Sequence, residues 1–207
     1  MGLDQDRHRT PTAIVSLLPQ WWLPTAFAAV SLLAQSGGEM LRQVLRFDRA
    51  AIANGEFWRL LSAHFVHLGW PHTAMNIAGL LLVWLLLGPL FSVPQWCLVS
   101  LISILAIDLG FWFLDTELGW YVGMSGLLHG MLAAGALRAI RRSTTESWFI
   151  VVFLLLKLGY EQLAGPLPGS EASAGGTVVV NAHLYGAIGG AAAALLLRHS
   201  VGRAAPI

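Results

Sequence analysis

Charge is scarce in this chain of 207 residues, of which only 11% are Asp, Glu, Lys or Arg while 56% are hydrophobic. Soluble domains have roughly a quarter of their residues charged, so this chain has too little charge to cover a water-exposed surface. The composition therefore predicts a one-domain, all-α polytopic membrane protein embedded in a lipid bilayer. The basic residues form no stripe and are not interleaved with aromatic residues, which argues against nucleic-acid binding.

Cysteine is almost absent as well. The one cysteine, Cys97, excludes an internal disulfide and a metal site built from several cysteines. A zinc site made from His64, His67, His72 and His129 is conceivable, but their spacing fits no closed motif. We therefore predict neither a metal nor a cofactor.

Long apolar segments are what the chain does have, and six of them can be separated by turn residues and charges. Residues 1–12 and 199–207 are predicted to be solvated tails around one membrane domain at 13–198. A cleaved signal peptide is the alternative for the first segment, but two prolines and paired tryptophans favour a retained helix. The polar interval at 36–59 has apolar residues at helical spacing and is predicted to lie partly along the membrane surface. The six predicted segments are 14–33, 60–87 (spanning from about 71), 93–114, 121–140, 148–163 and 177–197.

The distribution of arginine predicts the orientation. With both termini inside, four arginines of the first loop face outward and a larger set faces the cytoplasm, in agreement with the positive-inside rule. The arginines placed inside are Arg7, Arg9, Arg138, Arg141, Arg142, Arg198 and Arg203.

This topology places four polar side chains at one depth. The second, fourth and sixth segments all run from outside to inside, and His72, Asn76, Ser125 and His183 lie near their outer ends. Polar groups at membrane depth are costly and usually face the bundle interior or a water-filled cavity. We therefore expect these residues to share a cavity that opens to the outer side.

Small residues predict which segments touch. Gly126 and Gly130 in the fourth segment, and Gly186 and Gly190 in the sixth, have the G-x-x-x-G spacing that lets helix backbones approach closely. The two segments suited to close contact are therefore those that carry Ser125 and His183.

A serine requires a base to act as a nucleophile near neutral pH, and histidine has a suitable pKa. His183 within hydrogen-bond reach of Ser125 would form such a pair, with the Asn76 amide, the His72 ring N–H and the Ser125 backbone N–H as oxyanion donors. Because we find no aspartate at a matching depth to orient His183, we predict a two-residue dyad.

These motifs resemble those of the rhomboid intramembrane serine proteases. The matching residues are Trp58-Arg59, His67…His72-x-x-x-Asn76, Gly123-x-Ser125-Gly126 and Ala182-His183-x-x-Gly186-x-x-x-Gly190, in the family's order. The resemblance implies a six-helix bundle, Ser125 as nucleophile, His183 as base, and His72 with Asn76 at the oxyanion.

One departure from most rhomboids is similar to the rhombosortase subfamily: His129 stands where a tyrosine is usual, and the Lys157-x-x-x-Glu161 spacing also resembles that subfamily. The resemblance implies cleavage of C-terminal Gly-Gly, transmembrane and basic sorting tails of exported single-span proteins. It places the enzyme in the inner membrane of Gram-negative bacteria, with its active site on the periplasmic side. The acyl group could pass to water or to an amine nucleophile.

Several roles stay open at this level. His129 shares a helix face with Ser125 and is a candidate to be the base, to orient His183 or to read the substrate. Lys157 and Glu161 can pair with each other, or serve substrate gating or recognition. His67 is expected in the cavity or first loop, and Asp108 is expected to snorkel. The alternative functions are an inactive rhomboid-like binder of membrane proteins and a small proton-coupled transporter.

Overall fold

The computed structural model describes residues 20–140 and 145–200 of the chain. The predicted N-terminal tail, the beginning of the first apolar segment and the residues after 200 lie outside this part. So do five of the arginines on which the predicted orientation depends, namely Arg7, Arg9, Arg141, Arg142 and Arg203.

Helices dominate the described residues, as the composition predicts. Two strands of two residues each, β1 (Phe47–Asp48) and β2 (Trp120–Tyr121), pair in antiparallel fashion with Phe47 opposite Tyr121. The helices are α1 (Trp22–Ser36), α2 (Gly38–Leu45), α3 (Arg49–Ala53), α4 (Arg59–Ser62), α5 (Trp70–Leu87), α6 (Val93–Phe113), α7 (Ser125–Ala139), α8 (Thr145–Ala164), α9 (Ser170–Ala174) and α10 (Val180–Ser200).

Four of the described helices are long and apolar enough to cross a membrane. They cover Trp70–Leu90, Val93–Phe113, Ser147–Ala164 and Val180–Arg198. They coincide closely with four of the predicted segments, because each has a clear stop such as the turn at 88–90 or the loop at 165–169. The helices α1 and α7 are shorter, with 15 residues each.

The fourth predicted segment begins later than its hydrophobicity suggests. We predicted a helix from 121, but Tyr121 belongs to β2 and α7 begins at Ser125. Gly123 has a φ of 134°, a conformation that L side chains rarely adopt, so the chain turns sharply just before the helix. This turn makes Ser125 the first residue of α7 rather than an interior one.

The helices α7 and α10 pack backbone against backbone. A Cβ atom at Gly186 would overlap the carbonyl oxygen of Gly126, and one at Gly190 would overlap that of Gly130. At both levels only glycine leaves room for the facing chain, so the predicted close contact between these helices is confirmed. The contact fixes the position of α10 relative to Ser125.

Arg49 of the first loop binds several backbone carbonyls near the end of α6. Arg49 donates to the carbonyl oxygens of Phe111, Trp112, Asp115 and Leu118, at and just beyond the end of α6. Helix ends leave carbonyls without intrahelical partners, and a guanidinium with five N–H donors can satisfy several of them. Arg49 therefore fastens the loop to the helical bundle. Met40 and Val44 are large apolar side chains exposed on α2.

Candidate functional site

Ser125 and His183 face each other across the contact between α7 and α10. The Oγ atom of Ser125 lies 2.9 Å from Nε2 of His183, which is hydrogen-bonding distance. Ser125 opens α7, and His183 lies in the first turn of α10. The close contacts of Gly186 with Gly126 and of Gly190 with Gly130 hold this geometry in place.

A third group contacts the other side of the His183 ring. The carboxylate oxygen Oε2 of Glu161 lies 2.9 Å from Nδ1 of His183, and Oε1 of the same carboxylate lies 2.7 Å from Nζ of Lys157. The pairing of Lys157 with Glu161 was predicted from their spacing and is confirmed. The predicted two-residue dyad lacks this contact with His183, because it rested on the absence of an aspartate at a matching depth, whereas the carboxylate that contacts the ring belongs to a glutamate.

These contacts assign the tautomer of His183. A carboxylate only accepts hydrogen bonds, so Nδ1 carries the hydrogen and donates it to Glu161. Nε2 then has a free lone pair and accepts the hydroxyl hydrogen of Ser125. Lys157 Nζ lies further from Nδ1, at 3.5 Å, and its nearer partner is Glu161.

His129 lies flat against His183. The ring centroids are 4.1 Å apart and the planes differ by 17°, which is a stacked arrangement. Nδ1 of His129 lies 2.7 Å from the backbone carbonyl oxygen of Ser125, one turn earlier in α7. Of the roles left open by the sequence, this geometry agrees with the orientation of His183 by stacking, since it is His183 that binds the Ser125 hydroxyl.

His72 and Asn76 stand opposite this pair on α5. The backbone N–H of Leu68 donates to Nδ1 of His72 at 3.4 Å, which leaves Nε2 to carry the ring hydrogen. One amide hydrogen of Asn76 binds the carbonyl of His72 at 3.0 Å, and the second remains available. A Cβ atom at Gly123 would lie 3.2 Å from Cε1 of His72, so the glycine lets the ring approach the start of α7.

One cavity collects these groups. It has a volume of about 440 Å³ and is lined in part by residues of the segment 167–179. The expectation that the polar residues of the second, fourth and sixth segments share a cavity is therefore confirmed. The residues with polar side chains that line it include His72, Asn76, Ser125, His129, Lys157, Glu161 and His183. A larger cavity of about 640 Å³ between the first loop and α6 is apolar apart from Asp108.

Three further polar residues do not line the cavity that contains Ser125, namely His64, His67 and Asp108. Asp108 does not snorkel as predicted: it is buried, and its Oδ1 atom lies 3.3 Å from Nε2 of His64. The 3₁₀ turn that carries His64 brings a partner to this carboxylate, which sequence spacing could not indicate. His67 contacts the ring of His72 edge to face, with centroids 5.0 Å apart. Burial, with a smaller contribution from His72, lowers the pKa of His67 to about 3, so this ring is neutral.

A metal fits the site poorly. Among the described residues, His129, Glu161 and His183 are the one His/Cys/Asp/Glu group whose ligand atoms come close enough, all within 4.8 Å, and the four histidines considered from the sequence are not brought together. The two rings are stacked, so their lone pairs point in parallel directions rather than at a common point. The carboxylate of Glu161 already forms an ion pair with the ammonium group of Lys157. The arrangement suits proton transfer better than ligation.

Comparison with known proteins identifies the family. The model of the Rhomboid domain matches residues 54–200, which span the chain from the first loop to the end of α10. No curated protein matches the chain. The matched region contains every residue of the site described above. The apolar helices and this domain indicate a multi-pass membrane protein. The chain belongs to the rhomboid family, whose members are typically intramembrane serine proteases.

Proposed function

We propose that the protein is an intramembrane serine endopeptidase with Ser125 as nucleophile and His183 as general base. The observation that carries this proposal is the 2.9 Å contact between Ser125 Oγ and the unprotonated Nε2 of His183 in a polar cavity. A serine and a base within hydrogen-bond reach, with the base held by a third group, is the arrangement that nucleophilic catalysis needs.

The reaction follows from this geometry. Nε2 of His183 takes the hydroxyl proton as Ser125 Oγ attacks the scissile carbonyl carbon, and the resulting imidazolium returns that proton to the leaving amine. Three donors surround the developing oxyanion: the backbone N–H of Ser125, which has no intrahelical partner, the Nε2–H of His72 and the free amide hydrogen of Asn76. Water then attacks the acyl ester with His183 again as the base.

We propose a six-helix membrane core, with α1 and α7 crossing beside the four longer spans. At 1.5 Å per residue these two helices reach only about 22 Å, less than the roughly 30 Å of a bilayer core. A short α7 supports a nucleophile that starts below the outer surface, in a cavity that water can reach. Six crossings put both termini on one side of the membrane, and the distribution of arginine favours the cytoplasmic side. The cavity then opens to the periplasmic side of a bacterial inner membrane.

For the substrates, we propose single-span exported proteins with a C-terminal Gly-Gly, transmembrane and basic tail, as in the rhombosortases. His129 and the Lys157–Glu161 pair are the features that support this subfamily. Glycines at the cleavage site also help, because a protease needs an extended backbone and glycine leaves a helix readily. Transfer of the acyl group to an amine instead of water is compatible with the same acyl ester. An inactive rhomboid-like binder would have no need for an intact contact between Ser125 and His183.

The proposal predicts that Ser125→Ala and His183→Ala each abolish cleavage of a reporter with such a tail. In co-reconstituted vesicles we expect a loss of about 1,000-fold or more, because each change removes a member of one proton-transfer unit. Ser100→Ala is the matched control, since Ser100 is a buried helical serine whose Oγ has no hydrogen-bond partner among the described residues. It should cleave like the wild type. Full cleavage by the Ser125→Ala protein would contradict the protease assignment.

A further inference from the structure

The contacts of Glu161 exceed what neutralisation of its charge requires. Its side chain is only 2% exposed, and that of Lys157 is 16% exposed. A salt bridge between residues four apart on α8 needs only one carboxylate oxygen, which is Oε1. The second oxygen, Oε2, points away from α8 to His183 on α10.

A buried carboxylate is tolerated only when its lone pairs are satisfied, and here the two oxygens have different partners. Lys157 occupies Oε1, which leaves Oε2 as the oxygen that accepts from Nδ1–H of His183. Lys157 thereby fixes the orientation of the carboxylate, with Oε2 toward the imidazole.

We propose, on the basis of the proposed function, that Glu161 is a positioning residue that turns the Ser125–His183 pair into a Ser–His–Glu triad. Glu161 holds His183 in the tautomer whose Nε2 can accept a proton, and it stabilises the imidazolium that forms when Ser125 attacks. The carboxylate accepts a hydrogen bond throughout and takes no proton. The one proton transferred moves from Ser125 Oγ to His183 Nε2 and then to the leaving amine.

Lys157 is not placed to take the proton of the Ser125 hydroxyl itself. Its Nζ atom contacts Glu161 at 2.7 Å and lies on the Nδ1 side of His183, whereas the Ser125 hydroxyl lies on the Nε2 side. The role of Lys157 in the triad is therefore to hold Glu161.

Replacement of Glu161 by glutamine tests the proposal, because glutamine has the same shape but only one oxygen. If that oxygen faces the Lys157 ammonium, the amide NH₂ faces Nδ1 and stabilises the tautomer whose Nε2 cannot accept the serine proton. If the oxygen faces His183 instead, the NH₂ group points at the ammonium. We expect kcat of Glu161→Gln to fall about 100-fold or more with KM nearly unchanged, since the tautomer is wrong while the substrate cavity keeps its shape.

Two variants separate this role from plain ion pairing. Lys157→Met breaks the same ion pair but leaves the carboxylate on His183, so it should be at least about tenfold faster than Glu161→Gln. The double variant Lys157→Met/Glu161→Gln frees the glutamine oxygen to accept from Nδ1–H, so it should also be at least about tenfold faster than Glu161→Gln alone. The double variant carries no buried charge at either position, so it keeps the test available if Glu161→Gln folds poorly.

The kinetics of the single and double variants decide the matter alongside Ser125→Ala. Loss of kcat in Glu161→Gln with recovery in the double variant supports the triad. A Glu161→Gln enzyme with wild-type kcat, or a double variant no faster than a folded Glu161→Gln, overturns it. If Glu161→Gln does not fold, a double variant that is as inactive as His183→Ala overturns the triad. Any of these results leaves the proposed protease function intact as long as Ser125→Ala is inactive, whereas an active Ser125→Ala refutes that function directly.

Discussion

The imidazole of His183 is held in the site by two different interfaces of α10, one with α7 and one with α8. Towards α7 the contact is backbone against backbone, with Gly186 and Gly190 facing the carbonyls of Gly126 and Gly130. Towards α8 the contact at the site is made by side chains, in which Glu161 reaches across to the imidazole and is itself held by Lys157.

The two interfaces control different properties of the site. A backbone contact between glycines leaves no rotamer to adjust, so it sets the distance between Ser125 and His183. A hydrogen-bonded carboxylate sets the tautomer of the ring instead. The degree of burial agrees with this division. Half of the spanning part of α10 is buried inside the protein, but only 22% of that of α8. Of the four long spans, α8, which supplies the carboxylate, is thus the one least buried by the rest of the protein.

The largest effect on stability should come from adding a side chain at the glycine contact between α7 and α10. Gly190→Ala places a methyl group against the carbonyl of Gly130, and we expect a destabilisation of about 3 kcal/mol or more, because a backbone cannot move aside as a side chain can. Thermal unfolding in detergent should show a melting temperature about 6 °C lower or more.

Gly159→Ala on α8 is the control for this change. A Cβ atom at Gly159 meets nothing within 4 Å, so alanine there should raise stability by about 0.5–1 kcal/mol through its better helix propensity. Equal melting temperatures for the two variants would refute the distinction between the interfaces.

A smaller effect is expected at His129, which belongs to α7 but contacts His183 through its side chain. His129→Tyr keeps a ring for the stack on His183, whereas His129→Ala removes it. Loss of a stacked pair is worth about 0.5–1.5 kcal/mol, so we expect His129→Ala to cleave the reporter roughly 2- to 10-fold more slowly than His129→Tyr. Residual activity in His183→Ala that disappears only when His129→Ala is added would show instead that His129 is the base.

Much of the site followed from the sequence because it depends on helical periodicity and small residues. The placement of Ser125 opposite His183 follows from the two G-x-x-x-G pairs and from the common direction of their segments. The late start of α7 did not follow, since the positive φ of Gly123 is invisible in a hydrophobicity profile.

The contacts that the sequence missed are those between side chains of distant segments. The spacing of Glu161 indicated Lys157 as its partner and left gating and substrate recognition open, because spacing within one helix reveals a neighbour four residues away and nothing about α10. The same holds for Asp108, whose partner His64 lies in a short turn, and for Arg49, whose acceptors lie at the end of α6.

The central claim is that Ser125 is a nucleophile activated by His183. The most direct test is to treat the wild-type protein with a fluorophosphonate, which reacts with activated serines, and to locate the adduct by peptide mass spectrometry. We predict one adduct, on Ser125, which is lost in His183→Ala and kept in Ser100→Ala. An adduct on another residue, or undiminished labelling of Ser125 in the His183→Ala protein, would contradict the account.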